Sequence, residues 1–201
     1  MNKSFSALTN FPLKGGSSFA MPTQVLQQNL SLNAPAISVM TDLRSISVVV
    51  VRTMTAMEKA NAKMIRYGVR TLLVLDDADK VAGLLTATDV LGDKPVRFLQ
   101  QVGGTHADIL VRDVMTMQRD LKVLKLDDVF ASRVGDILTT LKEAGRQHAI
   151  VVEEDAEGNQ TVRGMFSATQ IARQLGVQLK TAEVAKIFAE IEASVGAGRD
   201  K

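Results

Sequence analysis

The chain writes one short phrase twice. Gly83 to Asp89 reads GLLTATD, and Gly164 to Gln170 reads GMFSATQ. In each copy a glycine and two large apolar residues lead into a hydroxyl residue, an alanine and a threonine; only the last position differs, Asp89 against Gln170. Apolar residues that stop at a hydroxyl are the pattern of a strand leaving a core and entering a helix start. Such a junction is expected to offer backbone N–H groups and a carboxylate at the mouth of a cleft, which suits a nucleotide or another small polar ligand.

Other anchors repeat in the same order. Val39-Met40-Thr41 recurs as Val114-Met115-Thr116, Thr55 has its match in Ser132, and Tyr67-Gly68 in Ala144-Gly145. The distance between matched anchors changes only by small loop insertions, so one unit has been duplicated.

Each unit reads as strand, helix, strand, strand, helix. Val48 to Val51 is a β-branched run suited to a buried strand. Thr55 with Glu58 predicts a capping box opening a helix with Met57, Ala60 and Met64 on its inner face, ended by Gly68. In the second copy Ser132 is expected to cap a helix whose inner face is Val134, Ile137, Leu138 and Leu141, ended by Gly145. Two apolar runs around an Asp-rich turn then predict a hairpin in each copy, Leu72 to Leu75 with Val81 to Leu85, and Ala149 to Val152 with Val162 to Phe166. A helix follows each: a ragged one through Gly92 and Pro95 to about Val102, and one from Thr169 to Leu175. A further amphipathic helix, Thr181 to Val195, places Val184, Phe188, Ile191 and Val195 on one face, read as core or a subunit contact.

The expected organisation is an N-terminal arm over 1–35, a first repeat over 36–110, a second over 111–176 and a C-terminal helix over 177–201. The arm has no persistent period. It is read either as a disordered leader or as a tail with a short helix at Thr23 to Leu30 whose Phe5, Phe11 and Phe19 pack back on the body.

Composition narrows the function. The 201 residues are 46% hydrophobic but only 4% aromatic, with no Trp, so the core must rest on aliphatic residues and Met. No cysteine and two histidines exclude a disulfide framework and a thiolate or His-rich metal centre. The net charge of +2 comes from Lys3 and Lys14 in an acid-free opening stretch; the balanced remainder lacks the basic excess of a nucleic-acid binder. No sustained apolar run marks a signal peptide or membrane span, so a cytoplasmic protein with no membrane role is expected. The nucleotide-binding P-loop, the nucleophile elbow and the zinc-protease motif are missing, and an enzyme is not expected. The acidic pairs Asp76-Asp77 and Glu153-Glu154 fall at turns, where solvated charges are usual.

Two tandem β-α-β-β-α units carrying VMT, a glycine before the hairpin and a closing G-h-h-[ST]-x-x-[DN] resemble the cystathionine-β-synthase (CBS) domain family from about Ala36 to Gly176. The resemblance implies an α/β (α+β) fold of two repeats with pseudo-two-fold symmetry, packed through their sheets. It also implies clefts for an adenosine ligand (AMP, ADP, ATP or S-adenosylmethionine) as a regulatory ligand, and a homodimer. On the family pattern Thr86 contacts phosphate and Asp89 accepts from the ribose hydroxyls; Ser167 takes the first role in the second copy, while Gln170 departs from the second. Asp89 has an alternative reading as a helix cap. Arg70, Arg146 and His148, just before the hairpins, are the candidate ligand-facing cation and ring positions; His148 is also readable as a partly buried core residue. Arg163 and Lys125 could also reach a cleft, but read first as a solvated face. With no fused effector domain recognisable, the expected role is a stand-alone sensing module acting on an unidentified protein partner, or a ligand-independent dimeric scaffold.

Overall fold

A computed structural model describes residues 29–179 and 184–197. Residues 23–28 of the expected arm helix, the arm's three phenylalanines and the start of the C-terminal helix at Thr181 lie outside these residues; Asn29 and Leu30, the expected helix end, are not helical.

The first repeat runs β1 (Thr41–Asp42), β2 (Val50–Arg52), α1 (Met57–Tyr67), β3 (Thr71–Leu75), β4 (Val81–Thr86), α2 (Ala87–Leu91) and α3 (Lys94–Val102). The second runs α4 (Val111–Val114), β5 (Thr116–Met117), β6 (Val123–Lys125), α5 (Leu126–Ala131), α6 (Val134–Glu143), β7 (His148–Glu154), β8 (Gln160–Ser167) and α7 (Ala168–Gln174), and α8 (Val184–Ala197) follows. The duplicated strand, helix, hairpin, helix order is present, with β2 parallel to β3 through a crossover over α1 and β6 parallel to β7 through one over α5 and α6.

The sheets are not closed within their own repeats. Their orders are β2-β3-β4-β5 and β1-β8-β7-β6. Each VMT segment thus lends its strand to the other repeat: Gly83 pairs with Met117 and Leu84 with Thr116, while Thr41 pairs with Met165 and Asp42 with Gly164. This exchange explains the glycine that opens each duplicated phrase. A Cβ on Gly83 would collide with the carbonyl oxygen of Thr116, and one on Gly164 would sit 2.8 Å from that of Thr41. The backbones cross too closely there for any side chain.

Alternation along the hairpins sorts three cores. Leu73, Leu84, Ile150 and Val152 meet between the two sheets. Leu72, Val74 and Leu85 face α1, whose Met57, Ala60 and Met64 are buried as the spacing predicts. Val151 and Phe166 face Val134, Ile137, Leu138 and Leu141 of α6, and Ile187, Phe188 and Ile191 of α8 join the same cluster. Hairpin strands with apolar residues on both faces are what a sheet covered on both sides requires.

The helix ends follow partly different chemistry from the sequence reading. Gly68 and Gly145 do close α1 and α6 in the left-handed region, with φ of 64° and 61°. The Thr55–Glu58 box does not form: Ala56 is the N-cap, without a side-chain bond, and the Met57 N–H donates instead to the Ile109 carbonyl. Backbone of the inter-repeat segment thus replaces the hydroxyl. Ser132 also does not cap α6; its hydroxyl donates to Asp128 O at the end of α5, and Asp136 accepts from the Arg133 N–H. The extra helix α5 shifted the boundary by one residue. Arg163 is no solvated side chain. It is mostly buried between Asp42 and Glu153, where it ties β1 to β8 and β7. Lys125 is solvated as expected, paired loosely with Glu154.

Candidate functional site

Two clefts open between the repeats, and each takes its walls from both. The first, about 220 Å³, joins Thr86, Thr88 and Asp89 of the first repeat to Lys122, Arg146 and His148 of the second. The second, about 340 Å³, joins Ser167, Thr169 and Gln170 of the second repeat to Thr41, Arg70 and Thr71 of the first. The duplicated phrase of one half therefore always faces the pre-hairpin residues of the other. The structure divides the seven candidate residues accordingly: Thr86, Asp89 and Arg146 in one cleft, Arg70, Ser167 and Gln170 in the other, and His148 lining both.

Asp89 is 8% exposed. It stands at the third position of α2 and forms a full reciprocal box with Thr86. Its Oδ2 accepts from the Thr86 N–H and hydroxyl, both at 2.7 Å, while the Thr86 Oγ1 accepts from the Asp89 N–H at 3.2 Å. The Ala87 N–H is bound to the Arg70 carbonyl. The expected free backbone N–H groups at this junction are therefore largely used within the protein. What remains on offer is the carboxylate, which is held rigidly. Its other oxygen, Oδ1, lies 2.6 Å from Lys94 Nζ, a partner that no motif announced.

The second cleft repeats the frame with one change. The Ala168 N–H donates to Gln147 O just as Ala87 does to Arg70, which makes Gln147 the counterpart of Arg70. The Gln170 N–H reaches Ser167 Oγ only at 3.5 Å, and the longer Gln170 side chain turns away to the Thr41 hydroxyl, with Nε2 at 3.2 Å. One added methylene carries the amide past the position from which Asp89 folds back. The cleft holds hydroxyls and two exposed cations, Arg70 and Arg173, but no carboxylate. Arg173 follows Gln170 by three residues on α7, so the helical spacing already placed it on the same face.

His148 stands between the clefts with Nε2 3.1 Å from Thr71 Oγ1. Although part of its surface opens to the clefts, the ring is packed among protein atoms. That desolvation pulls its pKa from the ordinary 6.5 to about 4; the Asp89 charge acts against the shift and the Arg70 charge reinforces it. The ring is neutral at pH 7, a hydrogen-bonding group rather than a cation. Positive charge in the first cleft comes instead from Arg146 and from Lys122, which sequence reasoning missed because it belongs to no motif. Among the described residues no cluster of His, Asp and Glu could hold a metal ion, and no helix is long and apolar enough to cross a membrane.

Comparison with known proteins agrees with this architecture. The CBS domain family model matches residues 37–93. An uncharacterized conserved protein from Pyrococcus horikoshii superposes with a TM-score of 0.52 at 24% identity, over 76% of this chain and 100% of that one. CBSX2 from Arabidopsis thaliana, in complex with AMP, gives 0.50 at 21% identity over 70% and 94%. The CBS domain of a bacterial CNNM/CorC family Mg2+ transporter gives 0.50 at 14% identity over 75% and 80%. Among curated proteins no match is found. Residues 37–93 thus match the CBS domain family, and the chain has the fold of a tandem CBS-domain pair.

Proposed function

We propose that this chain is a non-catalytic regulatory module that senses an adenosine nucleotide in the first cleft and passes its occupancy to a protein partner. The observation that carries the reading is the joining of Thr86 and Asp89 from one repeat to Arg146, Lys122 and His148 from the other in one hollow. A rigid carboxylate accepts hydroxyl donors, and the Lys122 and Arg146 cations suit phosphate. The complex of CBSX2 with AMP supports an adenosine ligand. AMP, ADP, ATP and S-adenosylmethionine are the ligands to try. A ligand that binds only the native state raises its melting point, so differential scanning fluorimetry tests the reading. No shift with any of the four would sink it.

A second reading, a ligand-independent scaffold, is favoured by the Gln170–Thr41 pairing, which consumes the groups that would face a ribose in the second cleft. In both readings we propose a homodimer. Ile65, Leu91 and Val102 of the first repeat expose 74%, 71% and 69% of their surface, apolar area that a second copy would cover. Sedimentation velocity distinguishes dimer from monomer.

A further inference from the structure

Asp89 has more partners than a cap needs. An ionised carboxylate offers about four lone-pair directions. Two on Oδ2 go to Thr86, and the Lys94 ammonium crowds Oδ1 as an ion pair at 2.6 Å, which leaves little room for two further donors. A vicinal diol brings two O–H donors and so needs two.

The groups around Asp89 differ in how readily they yield. The Thr86 N–H is fixed in the backbone, and the Thr86 hydroxyl is held from both sides, donating to Oδ2 and accepting from the Asp89 N–H. Lys94 approaches from the start of α3 with 43% of its side chain exposed, so its ammonium can return to water. The same ammonium donates to the Val114 carbonyl at 3.0 Å, at the end of α4 just before the exchanged strand β5.

We propose that Lys94, which is not itself among the residues lining the first cleft, sets the specificity of that cleft through Asp89: its ammonium blocks the acceptor that the second hydroxyl of a ribose would use, so that two-bond recognition of a diol requires it to leave Asp89. This rests on the nucleotide reading given above. When Lys94 leaves, its bond to Val114 is released as well, and ligand recognition is felt where the second repeat's strand enters the first repeat's sheet.

The test is calorimetric titration of the full chain and Lys94→Met with AMP and with its 2′-deoxy analogue. Removing Lys94 frees one charge-assisted hydrogen bond for the diol, so the preference for AMP over the deoxy analogue should grow by about tenfold or more. Lys94→Arg, which keeps a cation on Asp89, should retain the wild-type preference. If both nucleotides bind and the preference is unchanged in Lys94→Met, the role of Lys94 is overturned while the nucleotide reading stands. If AMP binds neither protein, the nucleotide reading falls and this inference with it. A ligand-free readout guards against a variant that merely misfolds: in folded Lys94→Met, or Lys94→Gln in its place, an Asp89 carboxylate without its cation should raise the His148 titration midpoint seen by NMR. An unmoved midpoint would show that Lys94 does not govern that carboxylate.

Discussion

Thr71 and His148 hold the same station in the two repeats, and their side chains meet, Thr71 Oγ1 lying 3.1 Å from His148 Nε2. The local two-fold relation of the halves thus passes between unlike residues, and His148 becomes a wall common to both clefts. Its neutral state belongs to the folded protein.

Acid should therefore destabilise the fold through this ring. The folded pKa of about 4 lies below the unfolded value of 6.5, so protonation favours the unfolded chain. The stabilisation is fully present above pH 6.5 and is lost as the pH falls toward 4, a loss of roughly 3 kcal/mol over that window. Urea melts of wild type and His148→Asn between pH 7.5 and 4 measure it. Equal pH slopes for the two proteins would contradict the assignment.

Gly83→Ala should be among the most damaging single-methyl changes available. The new Cβ has no space before the Thr116 carbonyl, a backbone atom paired into the same sheet. Overpacking of this kind typically costs about 1–3 kcal/mol, and the rigidity of the obstacle puts this case toward the upper end. Chemical denaturation would register it; Gly135→Ala, where the new Cβ meets only ordinary contacts and φ is not positive, is the control for glycine loss alone.

Asp89→Ala should weaken AMP binding by about 10-fold to 100-fold, the worth of one charge-assisted hydrogen bond. It should also lower stability by about 1 kcal/mol, because the Thr86 N–H loses its partner. Calorimetry and thermal melts separate the two effects. Unchanged affinity would leave Asp89 as a helix cap and nothing more.

Gln170→Asp should give the second cleft what the first already has. The shorter side chain can fold back on Ser167 as Asp89 does on Thr86, releasing the Thr41 hydroxyl toward the cleft and adding a carboxylate. AMP stoichiometry by titration should rise from one to two per chain. A value that stays at one would show that the wall residues Arg70 and Thr71 do not complete a nucleotide site.

Much of this molecule could be read from the letters alone. Spacing found the inner faces of α1 and α6 because helical periodicity is a property of a single segment. The glycines after those helices were legible for the same reason. The N-caps of α1 and α6 were not: the N–H of Met57 is satisfied by Ile109, far along the chain, and a long-range backbone bond leaves no local trace. The exchange of β1 and β5 was equally hidden, since two-residue strands carry no period. At the site, duplication pointed to Thr86, Asp89, Ser167 and Gln170, whereas Lys94 and Lys122 enter by tertiary folding alone. That Arg70 and Arg146 would serve different clefts follows from the crossing of the halves, which the pattern of residues does not encode.

The lending of each opening strand makes the two halves behave like clasped hands. A cut at the exposed Gly103-Gly104 link would leave two fragments still gripping one another, because each retains a piece of the other's sheet. Made separately, either fragment would present a raw sheet border seeking a mate, and mixing the two should restore the whole.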